Sequence, residues 1–166
     1  SGTKTYDGTT NVSSSNLTSF SNLAGSDTLS ISGTGTISSA DVGTGKSVNT
    51  SGITIDNSSG VGSNYTLSSA SVNVTKRVIS LNGVRAFDGT NNASSTDLSI
   101  SNLVSGENLT LSGSGTVPNA TVEMNKAITL GSLSVSDGSG GASSNYTLTG
   151  GSHTLDISQL SVNITG

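Results

Sequence analysis

The sequence predicts an all-β chain made of two tandem units. Two signatures recur with one shared offset of 81 residues, pairing Tyr6, Asp7, Gly8, Asn64 and Tyr65 with Phe87, Asp88, Gly89, Asn145 and Tyr146. A common offset across otherwise different sequence indicates duplication of a whole folded unit. Apolar residues alternate with Ser and Thr, as at residues 53–55, and this period of two is typical of half-buried strands. Glycine occurs at 22 positions, and no long stretch has helical spacing.

We expect each unit to be an antiparallel, immunoglobulin-like β-sandwich, with the two units in an elongated arrangement. The predicted boundaries are residues 1–81 and 82–166. The alternative is a β-grasp-like sheet with a short helix near residues 13–19. The apolar run at residues 78–81 is predicted to complete the first unit or to bridge both, because residues 160–163 echo it at the far end.

The composition excludes several classes of function. Only 10% of the residues are charged and the net charge is −4, which argues against nucleic acids and anionic membranes as partners. The sequence has no cysteine, so disulfides and thiolate metal sites are ruled out. No signal peptide or apolar span is evident, and the Ser1-Gly2 start is typical of a fragment.

Apolar residues that are kept in both units predict two cores. The matched pairs include Tyr6 with Phe87, Leu17 with Leu98, Phe20 with Ile100, Leu29 with Leu109, Ile37 with Val117, Val42 with Val122, Val48 with Ile128, Ile53 with Leu133 and Tyr65 with Tyr146. All of the aromatic residues fall in this set, so we expect few of them to be free for stacking on sugars. Gly33 and Gly113 are predicted to mark a tight turn or bulge, because their surroundings lack the features of a phosphate loop.

The repeated Asp-Gly pairs, Asp7-Gly8 and Asp88-Gly89, predict a turn after the first strand of each unit, since Gly accepts positive φ and Asp accepts backbone hydrogen bonds. Calcium is a less favoured interpretation. It requires several oxygen ligands to converge, and the candidates are Asp7, Asp56, Asp88 and Asp137. No EF-hand loop or glycine-aspartate array supports it.

Lys46 and Lys126 are the lysines that match between the copies. The simpler interpretation is a charge at a strand edge, which discourages edge pairing or meets Asp7 or Asp88 across the sheet. The alternative is an intramolecular isopeptide bond to an Asn or Asp, which also requires a buried acid.

Catalysis is not predicted. His153 is the one histidine, so the two units cannot share a nucleophile, base and acid, and no pair of His and Glu has metalloprotease spacing. Carboxylates scattered among turns form no specific pair for glycoside hydrolysis.

Three segments of the first copy together resemble the YDG repeat domain of large bacterial surface adhesins. They are Lys-Thr-Tyr-Asp-Gly-Thr-Thr at residues 4–10, Val-Gly-Thr-Gly-Lys-Ser-Val at residues 42–48 and Asn-Tyr-Thr-Leu at residues 64–67. The second copy departs from this pattern, with Phe87 in place of Tyr and Val-Glu-Met-Asn before Lys126. The resemblance implies a secreted or bacterial cell-surface protein whose units are strung in tandem between an anchor and an adhesive end.

Three functions follow as hypotheses. The first is an extender in the stalk of an adhesin, a monomer whose partners are the neighbouring repeats of its own chain and whose host ligand, glycan or protein, is bound by other domains. The second is an adhesive module in which the loops at residues 57–63 and 137–144 bind a carbohydrate or host protein. The third is a surface module rigidified by calcium.

Overall fold

The computed structural model describes residues 1–164 and confirms that the chain is all-β. The chain forms two compact units, Ser1–Arg77 and Val78–Gly166. Among the described residues, the helical elements are single turns of 3₁₀ helix, and none is long and apolar enough to cross a bilayer.

The first unit contains two three-stranded sheets, with strand orders β1-β6-β4 and β2-β3-β5. Its strands are β1 (Gly2–Thr5), β2 (Asn11–Ser13), β3 (Leu29–Thr36), β4 (Gly43–Ser47), β5 (Ile53–Asn57) and β6 (Ser71–Thr75). Turns of 3₁₀ helix at Ser14–Asn16 and Gly62–Asn64 separate them. The first of these turns lies within the range where the β-grasp-like alternative places a short helix.

The second unit repeats this plan with a four-stranded sheet in the order β10-β8-β16-β13 and three two-stranded pairs, β11-β14, β12-β9 and β15-β7. Its strands are β7 (Arg77–Val78), β8 (Ser80–Ala86), β9 (Asn92–Ser94), β10 (Leu98–Ser101), β11 (Leu109–Ser112), β12 (Ser114–Thr116), β13 (Glu123–Ala127), β14 (Ser134–Asp137), β15 (Tyr146–Thr147) and β16 (His153–Ser158). Turns of 3₁₀ helix lie at Ser95–Asp97 and Ser143–Asn145.

The prediction of purely antiparallel sheets is wrong. β1 pairs with β6 in parallel, and β8 pairs with β16 in parallel. Alternation in the sequence could not reveal this, because side chains alternate with a period of two in both kinds of ladder. Each unit is therefore closed by a parallel contact between an early strand and its last strand.

The prediction for residues 78–81 is also wrong, because this segment lies wholly in the second unit. The backbone N–H of Ile79 donates to the carbonyl of Thr147 at 2.9 Å, and that of Leu81 donates to the carbonyl of Ser152 at 3.2 Å. Both apolar side chains have no exposed surface. The segment is thus a core strand of the unit that follows it, and the boundary lies at Arg77 and Val78.

Gly33 lies inside β3 at a bend where the strand changes partner. Residues 29–33 pair with β5, whereas residues 34–36 pair with β2. Gly33 has φ of +91°, and Gly113 at the equivalent place has φ of +86°. A Cβ atom on Gly33 would lie 2.1 Å from the carbonyl oxygen of Gly52. The glycine therefore allows one strand to pair first with β5 and then with β2, rather than reversing the chain in a tight turn.

Four of the nine matched pairs named above are buried in both units: Leu17 with Leu98, Leu29 with Leu109, Ile37 with Val117, and Val48 with Ile128. In two further pairs only the second unit's residue, Leu133 or Tyr146, is buried, and its counterpart is half-buried. The other three pairs each contain an exposed residue. Val122 is 49% exposed, and the phenylalanines Phe20 and Phe87 are 36% and 39% exposed, so the expectation that every aromatic residue is in a core is wrong.

We expect Gly33→Ala to lower the free energy of unfolding by at least about 1–3 kcal/mol, because the new Cβ meets a carbonyl and the residue keeps a left-handed φ. Chemical denaturation measures the change. The matched control is Gly25→Ala, which also has positive φ, +52°, but has nothing within 4 Å of the new Cβ. Equal losses in the two variants would show that strand crossing at the bend does not require glycine.

Candidate functional site

A buried cation holds the Asp-Gly turn that follows β1. Lys4 is 4% exposed, and its Nζ donates to the carbonyl oxygens of Thr9 at 2.9 Å and Asn11 at 2.6 Å. The same Nζ forms an ion pair with Asp7 at 2.8 Å. Gly8 takes φ of +76°, and Asp7 Oδ1 accepts the backbone N–H of Thr9 at 2.9 Å. The Asp7 side chain of the repeated signature thus binds groups of its own turn.

The second unit builds the same turn on arginine. Arg85 occupies the position of Lys4, forms an ion pair with Asp88 and donates through Nη2 to the carbonyl oxygen of Thr90 at 2.6 Å. Asp88 accepts the N–H of Thr90 at 2.8 Å, and Gly89 takes φ of +79°. Arg85 Nε is buried without a hydrogen-bond partner, which is an energetic penalty that the lysine of the first unit avoids.

These contacts lower the pKa values of the carboxyl groups in the two turns. Burial alone would raise the pKa of Asp7, but hydrogen bonds from Lys4 and Thr9 outweigh it and lower the pKa below its ordinary value. The N–H of Thr90, followed by the Arg85 side chain, lowers the pKa of Asp88. Both carboxylates are therefore held ionised, in contact with a cation and a turn amide.

The repeated tyrosine forms the second network common to both units. Tyr146 is 2% exposed, and its hydroxyl donates to Glu107 Oε2 at 2.7 Å while it accepts the backbone N–H of Val104 at 3.1 Å. In the first unit the Tyr65 hydroxyl makes the same two bonds, to Asp27 at 2.6 Å and from Ala24 at 3.1 Å.

The hydrogen bond to Asp27 raises the pKa of Tyr65. The neighbouring Asn145 is 1% exposed, whereas Asn64 in the same place is exposed. The tyrosine network is thus better enclosed in the second unit than in the first.

Lys46 and Lys126 do not meet Asp7 and Asp88, so that part of the prediction is wrong. Lys46 Nζ donates to the carbonyl oxygen of Ser39 at 2.9 Å. Lys126 is 5% exposed, and its Nζ contacts Asn119 Oδ1 at 2.6 Å and Glu123 Oε2 at 2.8 Å. Each lysine instead donates to the loop that precedes its own strand.

The isopeptide hypothesis needed a buried acid beside the lysine. Glu123, the acid that contacts Lys126, has a side chain that is 61% exposed. Glu123 is therefore not the buried acid that the hypothesis requires. In the first unit Lys46 Nζ donates to the backbone carbonyl oxygen of Ser39, which is not a side-chain amide or carboxyl group.

The calcium candidates are not brought together. Within residues 1–164 no three His, Asp or Glu side chains lie close enough to hold a metal ion. Asp137 accepts from the N–H and the hydroxyl of Ser143, both at 2.7 Å, and these bonds lower its pKa. Asp56 lies on β5 opposite Ser30. Asp7, Asp88 and Asp137 therefore each hold a turn through neighbouring groups of their own unit.

His153 is the first residue of β16 and is half-buried. Its Nδ1 accepts the backbone N–H of Leu81 at 3.2 Å, and its Nε2 lies 2.9 Å from the carbonyl oxygen of Leu148. The structurally equivalent residue is Ala70, because Val48 and Ile128 donate to the carbonyls of Ala70 and His153. The imidazole thus links three segments of the second unit.

Sequence comparison of the two copies missed the partners of the repeated residues. Lys4 and Arg85, and likewise Asp27 and Glu107, differ in identity but carry the same charge at equivalent positions. A search for retained charge rather than retained identity would have found a cation three residues before each Asp-Gly pair. The tyrosine partners lie too far away in sequence for such a search.

Comparison with known proteins identified a family. The family model for the YDG domain matches residues 1–72 and residues 70–154. No curated protein matches the chain, and no solved structure matches it. The two matched ranges fall on the two units of the structure and together span most of the chain.

We expect acid to destabilise the first unit through Asp7. Its pKa is lowered by folding, so its contribution to stability is full above the ordinary carboxyl value of about 4 and is lost as the pH falls through the folded value. Asp7→Asn should flatten this acid limb in denaturation curves measured between about pH 5 and pH 2. The control is Asp56→Asn, because no ion pair within residues 1–164 involves Asp56. An unchanged acid limb in Asp7→Asn would contradict a stabilising role for the ion pair between Asp7 and Lys4.

We expect Tyr146→Phe to lower the free energy of unfolding by about 1–3 kcal/mol, because it leaves the N–H of Val104 without its acceptor. Tyr65→Phe is the matched variant in the first unit and should have a smaller effect, since Tyr65 is less buried. Urea denaturation of both variants decides the comparison. A larger loss in Tyr65→Phe would show that burial does not set the strength of this network.

Proposed function

Since the chain belongs to the YDG domain family, we propose that its two units are structural extender repeats of a bacterial cell-surface adhesin, which hold a distal binding domain away from the cell. The surface and adhesin context comes from the resemblance of residues 4–10, 42–48 and 64–67 to repeats of that kind. Function as a spacer requires each unit to fold on its own core and requires no shared reactive group.

The proposal rests on the hydrogen-bond partners of the side chains that recur in both units. Lys4, Arg85, Tyr65 and Tyr146 all direct their polar atoms to backbone and carboxyl groups of their own unit. A binding site kept through duplication would instead present matched polar groups to solvent. The side chains that recur in both copies therefore stabilise the fold of each unit.

An adhesive module is the competing function, and it is tested together with the extender. Partly exposed Phe20 and Phe87 leave two rings available for contact with a sugar. The decisive screen is the complete chain on a glycan array and on extracellular-matrix proteins, with the thermal midpoint measured in calcium and in chelator. Saturable glycan binding would replace the extender proposal, and a large calcium shift would favour a calcium-rigidified module.

We expect no saturable binding, no calcium shift and an extended particle in solution. Small-angle scattering extrapolated to zero concentration should give a radius of gyration clearly above the roughly 15 Å of a single compact particle of this length. A value near that of a compact particle would contradict the extender, because two units folded against each other add no reach.

A further inference from the structure

One face of the four-stranded sheet in the second unit is exposed and apolar. Leu81, Leu155 and Ile157 of β8 and β16 point into the core and are buried. On the opposite face of the sheet Val84 is 63% exposed, and Met124 of β13 is 71% exposed. In a chain with only 30% apolar residues, aliphatic side chains at this exposure on a sheet invite an explanation.

These aliphatic side chains flank a carboxylate. Asp156 on β16 pairs with Val84 in the ladder with β8, and Ala86 follows Val84 on the same face. On the other side of β16, β13 carries Met124 in a bulge opposite Asp156. Neighbouring strands lie about 4.8 Å apart, so Val84 and Met124 are on either side of the carboxylate. We call Val84, Ala86, Met124 and Asp156 the outer face of the second unit.

The first unit has the same surface in a polar form. Thr3 pairs with Asn73 as Val84 pairs with Asp156. Asn73 Oδ1 accepts the N–H of Gly45 at 2.7 Å, and Asp156 Oδ1 accepts the equivalent N–H of β13 at 2.6 Å. The second unit has Val84 for Thr3, Ala86 for Thr5, Met124 for Thr44 and Asp156 for Asn73. The backbone contact is thus kept, while three hydroxyl groups become aliphatic and an amide becomes a carboxylate.

The net negative charge of the chain belongs to the second unit. The first unit has four basic and four acidic side chains, whereas the second has two basic and six acidic ones. Both basic side chains of the second unit are ion-paired, and Arg85 and Lys126 have only 7% and 2% of their side chains exposed. The described surface of the second unit is therefore acidic.

Two carboxylates beside Val84 are left without a cation. Within residues 1–164 the ion pairs do not involve Asp156 or Asp97. Asp97 is equivalent to Asn16, whose side chain donates to the carbonyl oxygen of Thr3 at 3.2 Å, so Asp97 borders Val84 in the same way. The outer face thus combines exposed aliphatic groups with negative charge that the chain itself does not neutralise.

We propose that the outer face binds a flexible basic segment of another protein, in which lysine or arginine alternates with aliphatic residues. Aliphatic side chains of the segment cover Val84 and Met124, and a cationic head group meets Asp156. A folded protein buries the aliphatic side of such a strand, so a flexible segment is the form that exposes both groups together. The contact is independent of the extender proposal, and its ligand is neither a glycan nor a folded matrix protein.

Fluorescence anisotropy of short labelled peptides, titrated with the complete chain, tests this chemistry. A peptide in which lysine alternates with valine should bind saturably, and more weakly as salt is added. Serine in place of valine should weaken binding by at least about tenfold, because the aliphatic contact is lost. Glutamate in place of lysine should abolish it. No binding of the lysine-valine peptide overturns the proposal, and so does equal binding of the lysine-serine peptide, which would show attraction by charge alone.

The double variant Val84→Thr, Asp156→Asn tests the place of binding. Each change installs the residue that the first unit carries at the equivalent position, so the fold is retained. We expect the lysine-valine peptide to bind at least about fivefold more weakly. The matched control, Val61→Thr with Asp56→Asn, makes the same two substitutions in the first unit, where Val61 is 51% exposed. Equal losses in the two double variants would overturn the proposal.

NMR spectroscopy of the labelled chain distinguishes the two units directly. Addition of the lysine-valine peptide should shift the amide signals of β8, β13 and β16 and leave those of β1, β4 and β6 in place. Equal shifts in both sets would contradict the proposal. Sedimentation velocity of the chain alone tests a second copy as the occupant. Self-association that Val84→Thr, Asp156→Asn abolishes would assign the face to that copy and overturn the basic segment, whereas a chain that stays monomeric leaves the face free for it.

Discussion

The parallel contact between β1 and β6, repeated by β8 and β16, is the constraint on which each unit depends. It joins residues that lie about seventy positions apart in sequence, such as Gly2 and Val72, so the whole unit is enclosed between its two ends. β6 and β16 also pair on their other side with β4 and β13. The cores and the cation-bound turns are arranged around this ladder.

The repeated polar networks supplement a small core. Apolar residues make up only 30% of the chain, so each unit has limited hydrophobic stabilisation. Lys4 and Arg85 donate to carbonyl oxygens of the turns that follow β1 and β8. Tyr65 and Tyr146 donate to Asp27 and Glu107, which lie in the loops before β3 and β11. Buried charge on this scale is tolerated because most of its donors find an acceptor.

Sequence patterns predicted the strands and most of the core, because burial on one face dictates alternation. They could not predict strand direction, which leaves no trace in the period. They also assigned residues 78–81 to the wrong unit, since an apolar strand between two domains is equally compatible with both. The partners of Tyr146 lie 42 and 39 residues away in sequence, so no local spacing encodes them.

The parallel ladder at the ends of each unit has a mechanical consequence. When a unit is pulled by its two termini, β1 and β6 are drawn in opposite directions along their own axes. The rungs from Gly2 to Thr5 then bear the load in shear, all at the same time, whereas an antiparallel hairpin with both ends at one side would unzip one bond after another. The same holds for the longer ladder of β8 and β16, which is six residues in register. Tension applied to the ends of a unit is thus resisted by the ladder that those ends themselves form.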